Sequence, residues 1–139
     1  MIDYSKFEKA LKHLELQYVN YLDSENRDLS CLDKEAIAES VIHRFETCYD
    51  VLWKLLKRHL NLELGIPELP NSPWPIFQIA AENKLLGNGL AQWKKYSGAR
   101  IGTAHDYSGD KAGQALSLIP DFLRDAIELY KVMTKKEWS

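Results

Sequence analysis

The chain has 139 residues, 45% of them hydrophobic and 27% charged, with a net charge of -2. That length suits one domain, residues 1–139, with enough chain to bury a core without disulfide or metal staples. The charge balance excludes a global field that would draw nucleic acid or an acidic membrane, so any RNA contact must rest on a local patch. No run of about 18 apolar residues is present, which argues against a membrane span. The start, Met-Ile-Asp-Tyr, has no basic-then-apolar leader pattern. Cys31 and Cys48 fit no metal-ligand spacing. Both read as packing thiols, and a cytoplasmic location is expected.

The first helix is predicted from Ser5 to about Leu22. Ser5-Lys6-Phe7-Glu8 has the capping-box pattern. Phe7, Leu11, Leu14, Tyr18 and Tyr21 recur at 4-3-4-3 spacing and form one apolar stripe. Asp23 to Leu32 is polar and reads as a loop. The second helix, from about Asp33 to Leu60, carries two adjacent stripes. Ile37, Val41, Phe45, Cys48, Leu52 and Leu55 form one; Ala38, Ile42, Tyr49, Trp53, Leu56 and Leu60 form the other. A surface helix needs a single stripe, so a double one predicts burial against several helices or against a second copy of the chain.

Asn61 to Pro75 contains Pro67, Pro70, Pro73, Pro75 and Gly65 and reads as a connector. Ser72-Pro73 predicts the N-cap and first residue of a third helix. It is expected to run to Leu86 and to stop at Gly87-Asn88-Gly89. A fourth helix starts near Leu90 and carries Trp93, Lys94, Lys95 and Tyr96. Gly98 and Gly102 each weaken it by about 1 kcal/mol relative to alanine. Ser108-Gly109-Asp110 reads as a turn and cap. The last helix is predicted from Lys111 to Lys135, kinked or broken by Pro120. Its apolar face is predicted as Leu116, Ile119, Leu123, Ala126, Ile127, Tyr130 and Met133. The expected fold is all-α: an antiparallel up-and-down bundle of four to five helices, forming a homodimer.

One string stands apart from this scaffold, Arg100-x4-His105-x-Tyr107. It groups a fixed cation, a proton-transfer group and a phenol beside a glycine. On a regular helix Arg100 and His105 diverge by roughly 140° and share no face. A break at Gly102 would let them converge, or they could meet their counterparts across a symmetric dimer. If they converge, histidine can move protons at neutral pH and arginine can stabilise charge on a phosphate, enough to cleave RNA without a metal. Lys94, Lys95 and Lys111 flank the string and are candidate nucleic-acid or nucleotide contacts. The plainer readings are a capping histidine, a solvated arginine and a solvated lysine face.

Pro73-Trp-Pro-Ile-Phe-Gln-Ile-Ala-Ala-Glu-Asn-Lys-Leu-Leu86, then Trp93, then Arg100-x4-His105-x-Tyr107, resembles the HEPN superfamily. More narrowly, it resembles the nucleotidyltransferase substrate-binding proteins, over nearly the whole chain. The resemblance implies a dimeric helical bundle with the Arg/His motif near the interface. It implies a partner, a small nucleotidyltransferase encoded nearby. It implies no cofactor on this chain, since ATP and magnesium would belong to that partner. Many HEPN proteins are metal-independent RNases, and in some pairs the HEPN chain is a toxin silenced by transfer of AMP to the motif tyrosine. Arg100 and His105 would then be catalytic and Tyr107 the AMP acceptor. Ile101 and Ala99 depart from the motif, where many members carry a polar and an acidic residue. Both departures bear on RNase activity more than on fold or partnership. An interaction module without catalysis is a further alternative.

No metal site is expected. Glu39-x3-His43 has i, i+4 spacing but stands alone. His13 and His59 lie among lysines and read as solvated. Trp53, Trp74 and Trp93 read as core or dimer contacts.

Overall fold

The computed structural model describes residues 2–87, 89–105 and 109–139, with residue 105 described by its backbone alone. Among the described residues there are five helices: α1 (Ser5–Ser24), α2 (Cys31–Leu62), α3 (Pro73–Glu82), α4 (Leu90–His105) and α5 (Gly109–Thr134). The expected all-α bundle is observed. Its directions follow from cross-helix pairs. Tyr4 meets His59 and His13 meets Arg44, so α1 and α2 run antiparallel. Glu46 meets Arg100 and Tyr49 meets Ser97, so α4 runs against α2. Tyr96 meets Asp125 near the middle of α5, which therefore returns alongside α4. None of the described helices is long and apolar enough to cross a membrane.

The double stripe of α2 has a direct cause. This helix packs against all four others. Val41, Phe45, Cys48 and Leu52 from one stripe and Ile42, Tyr49, Leu56 and Leu60 from the other are all buried. Phe45 meets the edge of Phe122 on α5 at 4.9 Å, while Tyr49 meets Phe77 on α3 at 5.6 Å. Burying each such side chain contributes about 1.5–3 kcal/mol, so α2 is the axis of the fold.

Several local expectations are corrected. Ser5 is not the N-cap of α1. Tyr4 holds that position in helical geometry, and the Ser5 amide donates to Asp3 Oδ1 at 2.9 Å. Glu8 is instead drawn across the bundle, accepting from the Tyr130 hydroxyl at 3.0 Å. Glu8 thus has a tertiary partner, and no side-chain cap closes the start of α1. α2 starts two residues earlier than expected, capped by Ser30, whose hydroxyl accepts from the Asp33 amide at 3.1 Å. Cys31 is therefore exposed, and only Cys48 is a packing thiol, its burial pushing the thiol pKa well up.

α3 ends at Glu82, four residues before the predicted Leu86. Lys84 adopts a left-handed φ of 61°. The Leu85 amide reaches Ala80 O and the Lys84 amide reaches Ala81 O, both at 3.0 Å. That pair of bonds is a Schellman stop, made with lysine where glycine is usual. Leu86 is freed to turn into the core. Pro120 does not break α5; it lies on the exposed side of a continuous helix. The buried face of α5 is turned slightly from prediction. Ala115, Phe122 and Leu129 join Ile119, Ala126, Tyr130 and Met133 inside, leaving Leu116, Leu123 and Ile127 at the flanks. His59 is buried, not solvated, with Nδ1 3.2 Å from the Tyr4 hydroxyl.

Candidate functional site around Arg100

α4 carries the motif arginine, and its sequence explains which way that residue faces. Trp93 and Tyr96 are large and apolar enough to anchor the first half of the helix. Trp93 stacks on Phe77 at 4.9 Å and meets Tyr96 edge-on at 5.1 Å. Tyr96 meets Phe122 edge-on at 5.3 Å and donates to the buried Asp125 carboxylate. Burial, reinforced by that carboxylate, pushes the Tyr96 phenol well above its usual range. These contacts fix the rotation of α4. One turn later, the same rotation turns Ser97, Arg100 and Thr103 toward α2.

There Arg100 meets two carboxylates one helical turn apart, a spacing that puts both on one face of α2. Its Nε and Nη2 donate side-on to Asp50 Oδ1 and Oδ2 at 3.2 and 3.0 Å. Its Nη1 donates to Glu46 Oε2 at 2.9 Å, and the Thr103 hydroxyl donates to the same oxygen at 2.8 Å. Glu46 and Thr103 are buried, while Arg100 retains 26% side-chain exposure. Charge-assisted bonds of this kind are worth about 1.5–3 kcal/mol each when well shielded. Next to this group Tyr49 and Ser97 share a buried hydroxyl–hydroxyl contact of 2.7 Å. Burial raises the Tyr49 phenol pKa, and the Ser97 bond partly offsets the shift.

Glu46 and Asp50 were missed in the sequence. Glu46 falls on the second apolar stripe, between Ile42 and Tyr49. A charged residue in a buried register signals a partner, because such residues are almost never fully buried unpaired. That signal was present; the identity of the partner was not.

The other candidates lie elsewhere. α4 continues unbroken through residue 105, so the break that Gly102 allowed does not occur. The backbone positions of residues 100 and 105 therefore stay roughly 140° apart around the axis. Gly102 serves a close approach instead. A Cβ built there would meet Lys111 Cδ at 3.3 Å, so the Lys111 stem crosses α4 at that point. Lys94 and Lys95 are exposed. They lie about 120° and 140° around α4 from Arg100, on a different face. Residue 105 shares the backbone register of Lys94 and the exposed Ile101. Tyr107 lies outside the described residues, as do Asn88 and Ser108 of the predicted turns.

Beside Arg100 a groove of about 560 Å³ opens between α2, α4 and the start of α3, lined by Tyr49, Trp53, Trp74, Ser97, Arg100 and Ile101 among others. Its walls are mainly aromatic and aliphatic. The Lys54 ammonium lies over the Trp53 ring, 5.8 Å from its centroid. Trp93 and Trp53 are core as expected and Trp74 packs against the core, with Trp53 and Trp74 also lining this groove. The arrangement can hold a flat apolar group beside a guanidinium whose hydrogen bonds already run to Asp50 and Glu46.

A family model described as "nucleotidyltransferase substrate binding protein like" matches residues 2–135. No curated protein and no solved structure matches the chain.

Proposed function

The chain belongs to the nucleotidyltransferase substrate binding protein like family, and we propose that it is the HEPN half of a two-component nucleotidyltransferase system. In this reading it binds a small nucleotidyltransferase encoded nearby and presents a nucleotide or substrate to it. The observation that carries the reading is the extent of the match, which takes in all five helices and the Arg100 region together.

The geometry of Arg100 favours binding over RNA cleavage. To stabilise a phosphate in a transition state, the guanidinium would have to exchange charge-assisted bonds to Asp50 and Glu46 for bonds to the ligand. Its present role is to tie the second half of α4 to α2, just before the segment that contains Tyr107. In the proposed pair Tyr107 is the candidate AMP acceptor. The phenol oxygen would bond to the α-phosphorus of ATP as the bond to pyrophosphate breaks, the phenolic proton passing to a base or water and magnesium being held by the partner. The added phosphate would bring a negative charge and a bulky base into the segment that follows Arg100, where it would compete with Asp50 and Glu46 for the guanidinium. The alternative is a metal-independent RNase toxin using Arg100 and His105, which needs Arg100 released from its carboxylates. A helical interaction module without either role is the remaining reading.

The test is intact mass of the purified chain after incubation with the neighbouring nucleotidyltransferase, ATP and magnesium. A gain of one AMP, lost in Tyr107→Phe, is expected if Tyr107 is the acceptor. Binding without a gain leaves the substrate-presenting form. Absence of binding defeats the partnership. RNA cleavage by wild type that disappears in His105→Ala would favour the RNase reading instead.

A further inference from the structure

The C-terminal half of α2 presents a further surface, which meets the Arg100 groove at Asp50 and Lys54. Two adjoining grooves of about 360 and 310 Å³ lie along it and share Arg58. Phe7, Val51 and Leu55 contribute apolar lining to the first groove, and Leu62 and Leu69 to the second. Lys6, Lys54, Lys57 and Arg58 stand around them. Among the described residues, no carboxylate lies within ion-pair distance of any of these four cations. Two acidic residues also line the first groove, and Asp3 lies within electrostatic reach of Arg58. Asp50 accepts from Arg100, and Asp3 accepts from the Ser5 amide. Leu62 follows Arg58 by one helical turn and is 58% exposed; Leu64 beyond it is 43% exposed.

Apolar side chains ringed by cations have the anatomy of a protein interface, in which an apolar centre gives affinity and the rim gives specificity. A nucleic-acid strand fits less well. It needs aromatic faces on which bases can stack, and the one aromatic lining these two grooves is Phe7, which is 1% exposed. Trp53 and Trp74 belong to the neighbouring groove beside Arg100.

We propose that the α2 face from Lys54 to Leu62 docks an acidic amphipathic segment of the partner protein, its carboxylates on Lys54, Lys57 and Arg58 and its apolar side chains on Leu62 and Leu69. The stretch spans about 12 Å, enough for two turns of a helix lying in the groove. The inference rests on the reading that this chain binds a partner nucleotidyltransferase.

The experiment measures the Kd of the full chain for that nucleotidyltransferase at low and physiological salt. Variants are Arg58→Glu and Leu62→Asp, with Lys34→Glu as a control of equal charge change at the far end of α2. Each docking-face variant is expected to weaken binding about tenfold or more, the Arg58 effect shrinking with salt, while the control stays within about twofold. Circular dichroism checks that each variant is folded, and since both positions are exposed, loss of fold is not expected. If wild type binds and both variants bind equally well, the docking face is wrong while the partnership stands. If wild type does not bind, both fail. If Arg58→Glu abolishes binding of a single-stranded RNA oligonucleotide but leaves the partner's Kd unchanged, the face is a nucleic-acid track and the proposal is overturned.

Discussion

On α4, residues 90–97 lean on α3 and α5 through Trp93 and Tyr96, packed among Phe77 and Phe122. Residues 98–105 lean on α2 through Arg100 and Thr103, which bond to Glu46 and Asp50. The first half is held by apolar area, which needs only that water be excluded. The second is held by oriented charges, whose strength depends on geometry, shielding and the survival of every partner. The motif positions all fall on or just after the charge-held half. That half has fewer large apolar side chains, so it is the part of α4 expected to open first in local unfolding.

The largest effect that would sharpen this contrast is Trp93→Ala. It removes a fully buried indole, and a loss of about 3–5 kcal/mol is expected in chemical denaturation. Next is Glu46→Ala, which takes one acceptor from Arg100 and the carboxylate partner from Thr103. With Arg100 partly exposed, a cost of about 2 kcal/mol is expected. The decisive readout is hydrogen exchange. Amides of residues 98–105 should lose protection in Glu46→Ala while those of residues 90–97 keep theirs. Uniform loss along α4 would show that the two halves open as one unit.

Gly98→Ala acts at the junction of the halves. A Cβ there meets nothing within 4 Å, so helix propensity should dominate and stability should rise by about 1 kcal/mol, seen as a higher denaturation midpoint. A fall would mean that the charge-held half depends on bending at this residue. The smallest effect comes from a polar contact outside α4, between Tyr4 and His59. Burial is the main influence lowering the His59 pKa, with Lys135 adding to it and Glu63 opposing. A depressed imidazole pKa means that the unfolded chain binds more protons in this window. Its contribution is therefore complete above the ordinary value of about 6.5 and is lost as pH falls through the folded value. The wild type should lose stability over that range relative to His59→Gln. Parallel pH profiles would remove His59 from the account.

Much of the scaffold could be read locally. The apolar stripes of α1 and α2 and the Pro73 helix start are encoded within a few turns of chain, so their positions needed no tertiary knowledge. The misreadings have more than one cause. Ser5 and Glu8 form a good cap on paper, but Glu8 has a tyrosine on α5 within reach. Gly102 allows a break, but a single glycine costs a helix only about 1 kcal/mol and α4 continues. At Glu8 a contact from a distant segment stands where a local preference worth about 1 kcal/mol predicted a cap.

Alone, the sequence determined the helical class, the family and the presence of an arginine at a special place, because periodicity and motif strings are properties of neighbouring residues. Only the tertiary structure decided what that arginine does. Its partners Glu46 and Asp50 lie 54 and 50 residues away on another helix. They meet it because Trp93 and Tyr96 set the rotation of α4. An ion pair across helices is fixed by packing angles, and no spacing along one strand of sequence contains them.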